Sequence, residues 1–391
     1  MYPPPFILER FFARHEFSAR YLLSTSDCQG MPMTVLLAGA DDELRRLWHG
    51  LRLGYTESQG MPELRDEIAA LYESVRAGEI LVAAPEEAIF LVMNALLSSG
   101  DHVVCTFPGY QSLYELARTI GCDVDLWQPK EGEEWYFDPA DLEALMRPHT
   151  KLVVCNFPHN PTGALPSHEA FARVISAAER SGAWLLSDEM YRLLEPSDEV
   201  RLCAAVDLYD RGLSLSGVSK AFGLAGLRIG WVVSHQGSLL ERMKALKDYT
   251  TICSSAPSEL LALMGLRSRT DILAANRERV LQNITTAAEF FDRHSTLLEW
   301  APPQAGTVCF PRLTALGDSA DAGRGGRDVT KAAAGAETFC ARVLRDTGVL
   351  LLPSTVYGYG DSHFRLGLGR DDFATGLEVL DAYLIRQTDG A

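Results

Sequence analysis

Short apolar runs alternate with longer amphipathic stretches through the middle of the chain. The runs are rich in Val, Leu and Ile and have the length of strands; they cover residues 102–107, 124–127, 151–156, 183–188, 213–216 and 229–233. Between them apolar residues recur at helical spacing, over residues 62–76, 86–97, 111–120, 139–146 and 167–180. This alternation predicts an α/β fold whose central sheet is mostly parallel and is flanked by helices on both faces.

The two ends of the chain have a different pattern. An amphipathic segment at 7–17 is followed by an irregular stretch at 28–37. Towards the other end, the pattern predicts a long helix from Asp271 towards Phe291, then strands at 307–311, 349–352 and 363–368 and a helix at 337–346. We therefore expect both termini, residues 1–45 and 285–391, to form a smaller α+β domain beside a large domain of residues 46–284. The Gly-, Ala- and Asp-rich stretch at 319–335 predicts a surface loop.

Composition and charge narrow the possible functions. The formal charge of −16 over 391 residues repels phosphate backbones and disfavours nucleic acid as a partner. No apolar run approaches the roughly 20 residues that a membrane span needs, and the N-terminus does not resemble a secretory leader. The eight cysteines are scattered without a Cys-x-x-Cys pair, which predicts neither a metal site nor a disulfide framework. A reducing, cytoplasmic location is expected.

Charged side chains follow two of the predicted strands at the point where each ends. Asp188 closes the 183–188 run, and Lys220 follows the 213–216 run. Open α/β sheets bind ligands at this edge, where a buried carboxylate requires a cation and a desolvated lysine becomes a nucleophilic amine. The ordinary alternatives are a helix cap for Asp188 and a solvated surface charge for Lys220.

Three further positions also lie near the ends of predicted strands. Arg228 precedes the last predicted strand, where its guanidinium suits a phosphate or remains a surface charge. The sequence Asn160-Pro161-Thr162-Gly163 is by itself a turn signal. Tyr110 either stacks on an aromatic ligand or packs in the core. Each signal is weak alone, and their order at successive strand ends is the informative feature.

That order resembles the class I/II aminotransferases, fold-type I enzymes that use pyridoxal 5′-phosphate (PLP). The resemblance extends over roughly residues 50–370 and is densest from Gly54 to Trp231. Its most specific segments are Asn160-Pro161-Thr162-Gly163, Ser187-Asp188-Glu189-Met190-Tyr191 and Gly217-Val218-Ser219-Lys220. It implies the fold of PLP-dependent transferases of type I, with PLP as cofactor.

The resemblance also implies roles for individual residues. Lys220 would hold PLP as a Schiff base and later carry the substrate α-proton. Asp188 would pair with the protonated pyridine nitrogen, which strengthens the ring as an electron sink. Asn160 and Tyr191 would hydrogen-bond the phenolic oxygen of the ring, and Tyr110 would stack on its face. Lys220, Asp188 and Tyr191 are thus the expected catalytic residues.

The phosphate and the substrate would be held by a second set of residues. Arg228, Ser219 and the helix start at Glu86 would bind the phosphate, together with Tyr55 of the neighbouring subunit. That arrangement implies a homodimer with shared active sites. Arg365, with Asn160, would bind the α-carboxylate of the substrate. The segment 28–31, including Met31, is expected to line the pocket.

Two positions depart from the pattern of the family. Pro85 stands in the phosphate loop, where it has no N–H to donate, and Glu86 beside it brings a negative charge unless its side chain points away. Gly217 stands three residues before the lysine, where many relatives have serine. The Gly-Val-Ser-Lys form also occurs in bacterial members that are similar to aspartate aminotransferases.

The leading hypothesis for the reaction is transamination between an amino acid and a 2-oxo acid. Elimination, replacement or cyclisation on an amino acid is the main alternative, because some stretches resemble capreomycidine synthase-like members and C–S lyases start from the same carbanion. A third hypothesis, a PLP-binding sensor of a transcription regulator, is disfavoured because the 50 residues before Leu51 are not basic. No second arginine that would select dicarboxylic substrates can be identified.

Overall fold

A computed structural model describes residues 2–314 and 335–389. The helices are α1 Ile7–His15, α2 Met33–Ala38, α3 Asp42–Gly50, α4 Pro62–Ala69, α5 Pro85–Leu96, α6 Ser112–Ile120, α7 Pro139–Leu145, α8 His168–Ser181, α9 Ala205–Leu208, α10 Gly237–Lys247, α11 Ala256–Arg267, α12 Arg269–Arg293, α13 Gly335–Thr347 and α14 Phe373–Asp389. The strands are β1 Ile80–Ala83, β2 His102–Thr106, β3 Asp123–Trp127, β4 Thr150–Asn156, β5 Trp184–Asp188, β6 Gly212–Gly217, β7 Gly230–Val233, β8 Leu298–Glu299, β9 Val308–Cys309, β10 Arg312–Leu313, β11 Leu352–Pro353 and β12 Phe364–Gly367.

A seven-stranded sheet forms the centre of the molecule, in the order β1-β7-β6-β5-β4-β2-β3. Strand β7 runs antiparallel to its neighbours β1 and β6, and the other neighbouring pairs are parallel. Residues Leu152, Val153, Val154 and Cys155 of β4 are completely buried, because helices cover both faces of the sheet. The predicted fold, a mostly parallel sheet between helices, is confirmed.

Local sequence signals explain where the helices around the sheet begin and end. The Ser167 hydroxyl accepts a hydrogen bond from the Ala170 N–H at 3.1 Å and caps the start of α8. The same helix ends at Gly182, whose φ of +66° is a left-handed conformation that glycine adopts without strain. Pro85 occupies the first position of α5, where its missing N–H costs no helical hydrogen bond.

Two local predictions from the sequence were wrong. The predicted helix at 62–76 ends at Ala69, because the backbone N–H groups of Glu73 and Ser74 donate to the Asp207 carboxylate and hold the following chain in a turn. The stretch at 28–37, expected to be irregular, contains the start of α2. Strand β1 was not predicted, although its four apolar residues are completely buried beside β7.

A second, smaller sheet contains strands from the C-terminal part of the chain. Strands β11, β12 and β9 form an antiparallel sheet, and Tyr21 near the N-terminus pairs with Val349 in a parallel bridge. The proposed boundaries of the two domains, at 45/46 and 284/285, stay a prediction. The predicted surface loop at 319–335 lies outside the described residues, except for Gly335, where α13 begins.

Candidate active site

A cavity of about 430 Å³ lies at the carboxyl-end edge of the central sheet. Strands β2, β4, β5 and β6 are parallel, so the residues that follow them meet at this one edge. The cavity brings together nine residues predicted from the sequence: Glu86, Tyr110, Asn160, Asp188, Tyr191, Ser219, Lys220, Arg228 and Arg365.

Lys220 presents a free amine to this cavity. Its Nζ donates a hydrogen bond to Ser26 Oγ at 2.9 Å and lies 6.0 Å from the centre of the Tyr191 ring. Burial lowers the pKa of the Lys220 ammonium, and the nearby Arg365 guanidinium lowers it further, whereas the Asp27 carboxylate opposes the shift. The surroundings therefore make the neutral, nucleophilic amine that a Schiff base requires easier to form than in a solvated lysine.

Asp188 is a buried carboxyl group without a cation close enough for an ion pair among the described residues. Its Oδ1 accepts a hydrogen bond from the Met190 N–H at 3.1 Å, and burial raises the pKa of Asp188 to about 7. Such a group stabilises a protonated ring nitrogen brought against it, because the pair removes the cost of the isolated charge. The buried carboxyl group thus fits the pyridine nitrogen of PLP.

Asn160 and Arg365 belong to one buried hydrogen-bonded network with Tyr357. Asn160 Oδ1 accepts from Arg365 Nη1 at 3.1 Å and from the Tyr357 hydroxyl at 3.0 Å. Arg365 also donates to the Tyr357 hydroxyl at 2.7 Å and, through Nε and Nη2, to the Ser24 carbonyl at 3.0 and 2.6 Å. These contacts use four of the five guanidinium N–H groups, so a bidentate substrate carboxylate has to replace at least one internal acceptor.

Three features of the cavity fit a phosphate. Arg228, an exposed residue whose Nη1 donates to the Ala225 carbonyl at 3.1 Å, lines the same cavity as the start of α5, and Ser219 Oγ is buried with no hydrogen-bond partner among the described residues. In α5 the Ala88 N–H is bonded back to the Ala84 carbonyl, and the earlier N–H groups of a helix remain available to an anion. Pro85 removes one of those N–H groups, and the N–H of Glu86 remains.

Glu86 lines the cavity, and its carboxylate is held at the start of α6. Its Oε2 accepts a hydrogen bond from the Ser112 hydroxyl at 3.2 Å. Burial raises the pKa of Glu86 to about 7, and the carboxylates of Glu9 and Asp188 contribute to the shift. A carboxyl group with this pKa is largely protonated at slightly acidic pH, which reduces its repulsion of a phosphate.

The structure explains the glycine at position 217. Gly217 pairs with Gly230 across β6 and β7, and a Cβ atom at 217 would lie 2.9 Å from the Gly230 Cα. A serine does not fit there unless the strands separate. The two glycines therefore permit close approach of β6 and β7 directly below Lys220.

The N-terminal segments contribute residues that sequence reasoning missed. Leu8, Glu9, Phe12 and Glu16 of the α1 region line the cavity, as do Thr25, Ser26 and Asp27. The prediction for the segment 28–31 was wrong: Met31 does not line the cavity, and its N–H donates to the Gly223 carbonyl instead. Helical spacing of Glu9, Phe12 and Glu16 was visible in the sequence, but nothing there indicated what that face covers.

Tyr55 is the one predicted site residue that lies away from the cavity. Its side chain is 89% exposed in the single chain. Nearby, the Thr56 hydroxyl donates to the Ser254 carbonyl and the Met61 N–H to Glu259, so the segment that carries Tyr55 is held to α11 and the turn before it. An exposed position agrees with a role in another subunit and excludes contact with the cavity of its own chain.

Comparisons with known proteins point to the same kind of enzyme as the residues of this site do. A family model described as "Aminotransferase class I and II" matches residues 21–373. The chain belongs to this family. It is accordingly a PLP-dependent enzyme, and the aminotransferase function predicted from the sequence is confirmed at the level of the family.

This aminotransferase is similar to proteins whose names describe two kinds of reaction. It is 30% identical to capreomycidine synthase from Streptomyces vinaceus over 83% of its own length and 80% of that protein. A crystal structure of a PLP-dependent aminotransferase from Streptococcus suis superposes with a TM-score of 0.88 at 28% identity and 99% coverage of both chains. The PLP-dependent cyclase OrfR superposes with a TM-score of 0.85 at 29% identity, over 99% of this chain and 98% of that one.

Among residues 2–314 and 335–389, no helix has both the length and the apolar character to cross a membrane. Over the same ranges, no group of three or more His, Cys, Asp or Glu side chains could hold a metal ion.

Proposed function

We propose that this enzyme exchanges the amino group of an amino acid with a 2-oxo acid, and that Lys220, Asp188 and Arg365 carry the reaction. The observation that supports it is the convergence of an amine, a buried carboxyl group and a buried guanidinium on one cavity. PLP, when bound, supplies a protonated ring that withdraws electrons from the substrate α-carbon.

Each residue has a task that follows from its position. Lys220 Nζ would be the amine that holds the aldehyde group of the cofactor, and as a free amine it would take the substrate α-proton and deliver it to the former aldehyde carbon of the cofactor. Asp188 keeps the proton on the ring nitrogen, and Arg365 orients the substrate by its α-carboxylate. Asn160 Oδ1 is already occupied by Arg365 and Tyr357, so its amide nitrogen is available to the phenolic oxygen of the ring, as is the hydroxyl of Tyr191.

The proposal also assigns Tyr110 and the residues that bind the phosphate. Tyr110 stacks on the ring face, and Arg228, Ser219 and the Glu86 N–H bind the phosphate. Tyr110 is held by a hydrogen bond from its hydroxyl to Glu9 Oε1 at 3.0 Å and by packing of its ring on Phe6, with 5.0 Å between the ring centres. These contacts orient its ring before any ligand binds.

Cyclisation or elimination on an amino acid is the second candidate. It is favoured by the names of two similar proteins, capreomycidine synthase and the cyclase OrfR. Both reactions begin with the same proton transfer by Lys220, and they differ in whether the substrate offers a leaving group or an internal nucleophile.

A panel of amino acids distinguishes the two reactions. We expect exchange that requires a second 2-oxo acid, with no ammonia released and no leaving group lost. The new amino acid and the new oxo acid are quantified separately by chromatography and mass spectrometry. Formation of many equivalents of product per enzyme without any added oxo acid would contradict transamination and support cyclisation or elimination, because a transaminase stops after one equivalent.

We also propose a homodimer in which Tyr55 of one subunit binds the phosphate in the other. Leu53, Tyr55 and Tyr249 are 87%, 89% and 91% exposed, which is unusual for large apolar side chains and supports a partner surface. A cytoplasmic location is proposed with it, because all eight cysteines are free thiols, as is usual in a reducing compartment.

Mixed dimers test the shared site. Lys220→Ala and Tyr55→Ala chains are unfolded, mixed in equal amounts and refolded at limiting PLP. Half of the dimers are then hybrids, and each hybrid has one site with both native residues. We expect about a quarter of the wild-type activity, well above either variant alone. Activity equal to the mean of the two separate variants would contradict a contribution of Tyr55 in trans.

A further inference from the structure

One face of the N-terminal helix forms part of the cavity wall. Glu9 and Phe12 of α1 and Glu16 directly after it line the cavity, and their spacing of three and four residues places them on the same side of the helix. The Phe12 ring lies 5.7 Å from the Arg365 guanidinium carbon. This acidic face of α1, defined here as Glu9, Phe12 and Glu16, is therefore next to the proposed binding place of the substrate carboxylate.

The charges that line the cavity are unequal. Three cationic side chains face five acidic ones, namely Lys220, Arg228 and Arg365 against Glu9, Glu16, Asp27, Glu86 and Asp188. In the proposed function, Arg228 binds phosphate, Arg365 binds the substrate carboxylate, and Asp188 binds the ring nitrogen. Asp27 is paired with Arg370 at 3.1 Å. Among residues 2–314 and 335–389, Glu9 and Glu16 have no ion-pair partner.

The two glutamates differ from ordinary surface acids. Within the described residues, Glu16 has neither an ion pair nor a hydrogen bond to its carboxylate, and Glu9 accepts only from the neutral Tyr110 hydroxyl. Partial burial raises the pKa of Glu16, and the Asp27 and Glu9 carboxylates raise it further. Arg370 and Lys220 act on Glu16 only from a distance, and among the described residues no cation forms an ion pair with this face, so the acidic face keeps a negative potential.

A second, independent observation marks this cavity as a ligand site. Ser219 Oγ is buried on its wall, in a residue only 4% exposed, and has no hydrogen-bond partner among residues 2–314 and 335–389. Buried hydroxyl groups are nearly always paired, so this one awaits a group that enters the cavity. Ser219, which the proposed function assigns to the phosphate, lines the same cavity as the acidic face.

We propose that the amino-acid substrate has a second cationic group, an ammonium or a guanidinium, at the end of its side chain, and that Glu16 and Glu9 bind it. The inference rests on the proposed function, because it requires the α-carboxylate at Arg365 and the α-amine at Lys220. With both ends of the amino acid so placed, the side chain is the part left to reach α1. A dicarboxylic substrate would place like charges together there.

Pairs of amino acids that differ in charge but little in shape test the proposal. Lysine is compared with norleucine, arginine with citrulline, and glutamate serves as the acidic member. Conversion of bound PLP is followed by absorbance in single turnovers, and binding is measured separately by spectral titration at equilibrium. We expect lysine or arginine to exceed its neutral counterpart in kcat/KM by about tenfold or more, with glutamate lowest.

The results with the wild-type enzyme also distinguish a failure of the cationic-substrate proposal from a failure of the proposed function. Equal kcat/KM within both pairs, with some amino acids converted, would overturn the cationic substrate and leave the aminotransferase reaction intact. Conversion of no amino acid at all would overturn the proposed function, and the inference with it. A preference within the lysine pair alone, or within the arginine pair alone, identifies the cationic group as ammonium or guanidinium.

Variants connect the preference to the acidic face. Glu16→Gln should remove most of the difference within the favoured pair while the neutral member changes by less than about twofold, and Glu16→Lys should raise the relative rate with glutamate. Glu378→Gln, an exposed change of the same kind on α14, is the matched control and should leave the preference unchanged. If the preference survives in Glu16→Gln and also in Glu9→Gln, the acidic face does not determine it.

Discussion

Replacing Lys220 by alanine is expected to lower turnover by roughly 10⁴-fold or more, because the variant loses both the Schiff-base nitrogen and the base that moves the α-proton. No other described lysine lines the cavity, so no neighbour can take over these tasks. The measurement is single-turnover conversion of an amino acid, together with borohydride reduction and mass spectrometry of the peptide that contains residue 220.

A matched control separates this effect from a general loss of charge. Lys244→Ala removes a surface lysine of α10 whose partner is the neighbouring Glu241. It should retain wild-type turnover and a cofactor that borohydride attaches to the chain. Substantial turnover in Lys220→Ala, or attachment of the cofactor to another residue, would contradict the assignment of Lys220.

Asp188→Asn is expected to lower kcat by roughly 10³-fold, a size typical of the loss of one buried electrostatic contact to the reacting group. Asparagine keeps the hydrogen bond from the Met190 N–H but cannot hold a proton on the ring nitrogen. Asp188→Glu, which retains the charge, should recover part of the loss. If Asp188→Asn keeps more than about a tenth of the wild-type kcat, the carboxylate does not serve the ring nitrogen.

The same variant should change the stability of the apoprotein in a pH-dependent way. Burial raises the pKa of Asp188 from 3.8 to about 7, so the folded state binds its proton more tightly than the unfolded state does. The stabilisation from this proton is present below pH 4 and is lost as pH rises towards 7, by up to about 4 kcal/mol. Asparagine does not titrate. The Asp188→Asn apoprotein should therefore gain in free energy of unfolding, relative to wild type, between pH 5 and pH 8.

Urea unfolding of both apoproteins at the two pH values gives this difference directly. An equal difference at pH 5 and pH 8 would contradict the raised pKa. Bound PLP should reverse the trend in the wild type, because a cation at the ring nitrogen favours the ionised carboxylate.

The parallel sheet and its ligand edge could be predicted from the sequence because both depend on short-range patterns. Continuous apolar runs such as the one that ends at Asp188 identify strands buried on both faces, and polar residues just after them must meet at one edge. Nine of the ten predicted site residues line the cavity: eight of them lie near the ends of strands of the central sheet, and Arg365 comes from β12 of the smaller sheet. Tyr55 is the exception.

The features that the sequence did not predict depend on contacts between residues distant in sequence. The end of α4 at Ala69 depends on hydrogen bonds to Asp207, which no local pattern reveals. Tyr357, which connects Arg365 to Asn160, and Ser26, which receives the hydrogen bond of Lys220, are brought to the site only by the folding of both termini.

The sequence by itself thus determined the kind of sheet and predicted the edge at which the ligand binds, since both follow from local periodicity and the order of strand ends. The roles proposed for the residues at that edge came from the resemblance to the family. Tertiary structure alone decided which surface closes the cavity. The amphipathic pattern at 7–17 shows that a helix has two faces, but it does not show that Glu9 and Glu16 face Lys220 and Arg365. That placement depends on long-range packing, such as the hydrogen bonds of Gln111 to Ile7 and Pro5, and so only the folded chain reveals the charge that the substrate meets.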